Sequence, residues 1–163
     1  YCAEAEPFIT DLVPPGEYPV IVSVAHIKND QRVALAAIFI GDALPLNWKI
    51  ATPSGIDLTK RKRYTYCVDS GIGCFMDADA VNAFALICED YDIDTDPLLA
   101  EMSRHYTHTW GWANLCLNQA TGTNIIAFSS GWGDGGYPSY FGYDENENII
   151  CLVTEFGVLD EAE

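Results

Sequence analysis

Positive charge is what this sequence has least of. Eight Lys and Arg stand against 24 Asp and Glu, a formal net charge of −16 over 163 residues. The deficit is uneven. Residues 1–63 hold seven bases and seven acids, whereas residues 64–163 hold the other 17 acids and one base, Arg104. A chain without a basic face does not grip a phosphate backbone or an anionic bilayer, which argues against nucleic-acid and membrane partners. Long hydrophobic runs are missing too, since the apolar stretch from Val33 to Ile40 is far too short to cross a bilayer. There is no CxxC pair among Cys2, Cys67, Cys74, Cys88, Cys116 and Cys151, so paired zinc knuckles are absent. No internal repeat or low-complexity linker divides the chain.

What remains is the composition of a folded domain. Hydrophobic residues make up 49% and charged residues 20%, with 4 Trp, 9 Tyr and 7 Phe, which rules out disorder. The length suits one domain over residues 1–163 with one main core. Tyr1 stands where an initiator Met would, as in a processed or trimmed product. Cys67, Cys88, Cys116 and Cys151 sit in apolar runs and read as buried thiols, which points to a cytoplasmic protein. The quartet Lys60-Arg61-Lys62-Arg63 holds half of all the bases. It reads as a solvated loop before a strand, or as an electrostatic clasp for the acidic half or for an acidic partner.

The periodicity predicts strands over Tyr18 to Ala25 and Arg32 to Ile40, joined as a hairpin at Asn29-Asp30, then a short strand at Trp48 to Ala51 and another at Tyr64 to Val68. Asp77 caps a helix carrying Val81, Phe84, Ala85 and Cys88 on one face. Asp96-Pro97 starts a second helix running to about Tyr106. Strand signals return at Trp112 to Leu117, Asn124 to Ser129, Tyr137 to Tyr143 and Ile149 to Phe156, the last two linked by the turn residues 144–148. The expected fold is α+β, a mostly antiparallel, sandwich-like sheet with two central helices.

Four constellations hold residues suited to chemistry. Asp90, Asp92, Asp94, Asp96 and Glu101 fall at positions 1, 3, 5, 7 and 12 of a calcium loop, but Thr95 replaces the sixth-position glycine and Pro97 stands at the eighth. An acidic inter-helix loop explains them without calcium, and no cofactor is expected. Asp69-Ser70-Gly71-Ile72-Gly73-Cys74 reads as a glycine-rich turn. It lacks the spacing of a serine nucleophile elbow, and Cys74 as a nucleophile would need His105 or His108 beside it. His105-x-x-His108 has no clear third metal ligand and suits the C-terminal end of a helix. Ser130 to Tyr137 packs four glycines around Trp132 and Asp134 but has no lysine for phosphate. Its structural reading buries Trp132 in the core and ties the turn through Asp134. Its functional reading makes Trp132, Asp134 and Tyr137 a site for a sugar-like or cationic ligand.

Several of these pieces occur together in one order: Pro14-Pro15-Gly16-Glu17-Tyr18-Pro19-Val20, Arg32-Val33-Ala34, Trp48, Val68-Asp69-Ser70-Gly71 with Phe75-Met76-Asp77, Gly131-Trp132-Gly133-Asp134-Gly135-x-Tyr137, and Gly142-x-Asp144 before Leu152-Val153-x-x-Phe156. This arrangement resembles the bacterial family DUF4241, a domain of unknown function, over about residues 14–156. The resemblance implies a fold, and a segment upstream of Tyr1, but no reaction. Two functions then stand as expectations. One is a non-enzymatic acidic binding protein of the immunity or antagonist type, directed at a basic protein partner. The other is a hydrolase, metal-assisted or not, in which Asp69, Asp77 and Asp134 converge in one pocket as acid, base or metal ligands.

Overall fold

A computed structural model gives the structure of the chain and describes residues 7–8, 11–59, 63–89 and 96–159. The first hairpin is β1 (Val20–Ile27) against β2 (Asp30–Phe39), closed by Lys28-Asn29 with Lys28 at φ +54°. Ala34 is an extra residue in β2, lying between the Ser23–Leu35 and Val24–Val33 pairs. Such a bulge resets the alternation of a strand. Val33, Ala34 and Ala36 therefore all reach the core, while Leu35, Ala37 and Phe39 line the opposite side of the sheet.

The chain continues through β3 (Asn47–Ile50), β4 (Tyr66–Val68) and β5 (Ile72–Met76), then α1 (Ala80–Glu89) and α2 (Pro97–Arg104). It returns to strands at β6 (Trp112–Asn118), β7 (Thr123–Ser129), β8 (Gly135–Tyr137), β9 (Ser139–Tyr143) and β10 (Ile149–Glu155). Every strand pairing is antiparallel, and the fold is the expected α+β arrangement with two helices. Five strands form one sheet in the order β1-β2-β10-β9-β3, three form another in the order β5-β7-β6, and β4 pairs with β8 alone.

These elements stack in three layers. The helices cover one face of the three-stranded sheet, where Phe84, Leu98 and Met102 meet Ala113, Ile125 and Ala127. The other face, with Phe128, Ile126 and Phe75, packs on Val33, Ala34, Ala36 and Phe156 of the five-stranded side. Each fully buried side chain of the size of Phe84 or Phe128 contributes about 1.5–3 kcal/mol. A third cluster, Ala51, Phe141, Tyr143 and Leu152, extends the same inner face. There the Tyr143 hydroxyl donates to Asp11 Oδ2 at 3.1 Å, and burial, reinforced by Asp11, pushes its pKa up to about 12.

Element ends shift from the expectation by one or two residues, and two features differ outright. Gly73 stands inside β5, not in a turn, because a Cβ there would lie 2.8 Å from the Phe128 ring. Its lack of a side chain serves close packing against β7. The single strand expected at Tyr137 to Tyr143 is divided at Pro138, which carries the chain from the β4–β8 pair into the five-stranded sheet. Of the basic quartet, only Arg63 falls among the described residues, and it is exposed.

Candidate functional site

The two glycine-rich segments meet. Gly71 N donates to Asp134 Oδ1 at 2.9 Å, and Ser130 N donates to the Gly71 carbonyl at 3.0 Å. Within the second segment Gly133 N donates to the Ser130 carbonyl at 2.8 Å, and Ser130 Oγ donates to the Gly133 carbonyl at 2.9 Å. Tyr137 fastens the same loop, its hydroxyl lying 2.8 Å from the Gly133 carbonyl and 3.1 Å from that of Ser130. Gly71, Gly131 and Gly133 all have positive φ, at +64°, +55° and +101°, a region that side chains make costly. Asp134 thus ties a turn, but the turn it ties belongs to the other segment.

This construction holds Trp132 outward. Its side chain is 42% exposed, so the core reading of Trp132 is corrected; the buried aromatic of the motif is Tyr137. The Arg32 guanidinium lies 5.1 Å from the Trp132 ring centroid, within cation–π range, and its Nε donates to Asp30 Oδ2 at 2.8 Å. That bond, with further help from the Gln31 amide and Thr109, holds the Asp30 carboxyl below its ordinary pKa. One face of the indole therefore already has its cation. Burial, with the nearby Asp134 charge, raises the pKa of Tyr137. Because the Tyr137 hydroxyl is spent on two carbonyls, it offers a ligand little.

The remaining sequence candidates are dispersed. Asp69 and Asp134 stand at the start of β5, whereas Asp77 follows its far end, where Oδ1 accepts from Asp79 N at 2.8 Å. At roughly 3.3 Å per residue, the four steps from Ile72 to Met76 put about 13 Å between those ends. Among the described residues no three His, Cys, Asp or Glu side chains are grouped to hold a metal. Asp90, Asp92 and Asp94 lie outside the described residues, while Asp96 and Glu101 serve α2. Asp96 Oδ1 caps Leu98 N and Leu99 N, and Glu101 meets Arg104 at 2.7 Å and His105 at 3.2 Å. The two histidines part company. His105 stacks on Trp112 with centroids 4.0 Å apart, and His108 turns to the Asn29 carbonyl. Cys67, Cys74, Cys116 and Cys151 are free thiols; Cys67 and Cys116 are exposed, correcting their reading as core residues, and Cys151 is buried.

A broad groove runs across the outer face of the five-stranded sheet. It has a volume of about 530 Å³. Leu35, Ala37 and Phe39 of β2 and Cys151 and Val153 of β10 form its floor, while Tyr140, Trp48 and Pro45 close one side. Gly142 keeps that side low, since a Cβ there would lie 2.6 Å from Cys151 Sγ and 3.1 Å from Trp48. Glu155 is the one charged residue of the lining. Of the lining residues Trp48 and Phe39 are exposed, and so are Leu44 and Leu46 in the segment that carries Ala43 and Pro45. A smaller hollow beside Trp48 adds Lys49 and Glu147. The motifs do not reveal this groove, but hydropathy could have. Strands half-buried against water alternate, whereas Val33 to Ile40 and Ile149 to Val153 are apolar without interruption, as in strands covered on both faces.

A family model described as a protein of unknown function (DUF4241) matches residues 2–154, and the chain belongs to that family. No curated protein and no solved structure matches it.

Proposed function

We propose that this DUF4241 chain is a non-enzymatic protein-binding module of the immunity or antagonist type, directed at a basic protein partner. The observation that carries the reading is the open groove on the outer sheet face, lined almost wholly by hydrocarbon, with exposed Phe39 and Trp48 in its lining and exposed Leu44 and Leu46 in the adjoining segment. Contiguous apolar surface of this kind on a folded chain marks a place where another molecule sits. The charge supports a basic occupant, because a net −16 raises the encounter rate of positive partners and repels negative ones. A hydrolase would need Asp69, Asp77 and Asp134 at one point, and the length of β5 separates Asp77 from the other two.

Binding of basic proteins from the source organism to wild type and to Trp48→Ser tests the reading. Trp48 is 49% exposed, so its replacement spares the core. The expected result is saturable binding that weakens with salt and falls about tenfold or more in the variant, as for a central aromatic anchor. If no basic protein binds saturably, the proposal is wrong.

A further inference from the structure

The groove also specifies the form of its occupant. We infer that the outer face of the five-stranded sheet receives an amphipathic helix of the partner, with an apolar stripe and basic residues at both ends. The inference rests on the binding-module reading and adds the partner's shape and charge placement.

Backbone chemistry excludes an extended segment on this surface. β2, β10 and β9 are internal strands whose amide and carbonyl groups are directed to neighbours in the sheet. The face above them offers side chains only, and their polar atoms are few: the Glu155 carboxylate, the Tyr140 hydroxyl and the Trp48 indole N–H. An extended segment buried here finds too few partners for its row of N–H and C=O groups, and leaving them unpaired is costly. A helix meets those bonds internally, so it is the form of chain that can lie on such a face. The dimensions agree. Cys151 to Glu155 spans four residue steps, about 14 Å, and β2 to β3 spans three strand spacings, also about 14 Å. A helix with its side chains is about 10–12 Å across, and about nine residues cover that length.

The layering points the same way. The helices α1 and α2 cover the far side of the three-stranded sheet, so among the described residues the stack runs helix, sheet, sheet, and ends on an uncovered apolar face. A layer of helix on that face completes the burial that the uninterrupted apolar runs of β2 and β10 anticipate. Charge sets the ends. Glu155 stands at one end of the β10 stretch, and Glu147 stands beyond the other, in the hollow beside Trp48, where Lys49 is turned onto the Tyr143 ring. Lysines or arginines at both ends of the helix meet these carboxylates. A second copy of the chain would bring −16 against −16 and is disfavoured.

The test uses a side-chain-stapled peptide of about 14 residues, long enough to hold a helix. It carries Leu at helical spacing on one face and two Lys at each end. Two control peptides replace the terminal Lys by Glu, or insert two prolines. Amide and methyl NMR of the full chain locates binding, and titration at two salt concentrations measures it. The expected result is shifts at Leu35, Phe39, Trp48 and Val153, with the Lys-ended peptide binding about tenfold tighter than the Glu-ended one and the proline peptide not binding. Shifts confined to other surfaces, equal binding of the proline peptide, or equal binding of the Glu-ended peptide overturns the inference. So does sedimentation showing a dimer that shifts the same four residues. A basic protein that binds wild type and Trp48→Ser equally, away from the groove, overturns the helix site and leaves the preference for basic partners standing. No binding by any basic protein or peptide overturns both.

Discussion

At the scale of single residues, glycines decide the shape of the Trp132 loop. A Cβ at Gly131 would lie 2.7 Å from Phe156 Cβ and 2.9 Å from Val158 Cγ2, at φ +55°. At Gly133 the backbone is equally unusual, φ +101°, but the space is open. Gly131→Ala should therefore cost about 2–4 kcal/mol, strain and overpacking together, and Gly133→Ala about 1–2 kcal/mol from strain alone. Urea midpoints of the two variants check the order; equal losses would show that the Phe156 contact does not matter. The motif itself was legible in the sequence as glycines around an aromatic and a carboxylate. Which aromatic is buried was not. Trp132 and Tyr137 lie five residues apart, one in the loop and one in β8, and the turn made by the positive-φ glycines leaves Tyr137 inside and Trp132 out. Cys67 and Cys116 failed for a related reason. Each sits in an apolar run, but alternation along β4 and β6 turns it outward.

At the scale of elements, local chemistry marked the helices and hairpins well. The Asp96-Pro97 signature is a start of α2 in which the carboxylate accepts from Leu98 N at 2.7 Å and from Leu99 N at 3.2 Å. Asp96→Ala should cost about 1 kcal/mol and Asp96→Ser much less, measured by thermal unfolding. Equal losses in the two would mean that capping is not its role. The loop 144–148 behaves as its composition promised. Asp144 accepts from Asn146 N, Asn148 N and Asn148 Nδ2, and the Asn148 contacts are the main reason its pKa is lowered. What local reasoning missed were features set by distant contacts. Gly73 reads as a turn residue until Phe128 is seen beside it, and the groove floor joins β2 to β10, more than a hundred residues apart.

For the whole molecule, the charge is mostly uncompensated. Two Arg–carboxylate pairs join described residues, Arg32–Asp30 and Arg104–Glu101, both at the surface. Surface pairs of this kind contribute little, whereas a net −16 is a sizeable self-repulsion in the compact state. Stability should therefore rise with salt. Between 10 and 200 mM NaCl the screening length falls from about 30 Å to below 10 Å, and the melting temperature should climb by about 2–4 °C for each 1 kcal/mol of repulsion removed. A melting temperature that falls with salt would show the ion pairs to be dominant instead. The sheet order also has a consequence in time. The centre of the five-stranded sheet is β10, synthesised after every other described strand, and β2 and β9 have no direct pairing without it. At about 5–20 residues per second, the β1–β2 hairpin waits on the order of ten seconds on the ribosome before its neighbour exists. Throughout that interval β2 shows an open edge and an uninterrupted apolar run, the features that seed misassembly. Nascent chains stalled just short of Ile149 should then hold chaperones that the finished chain releases.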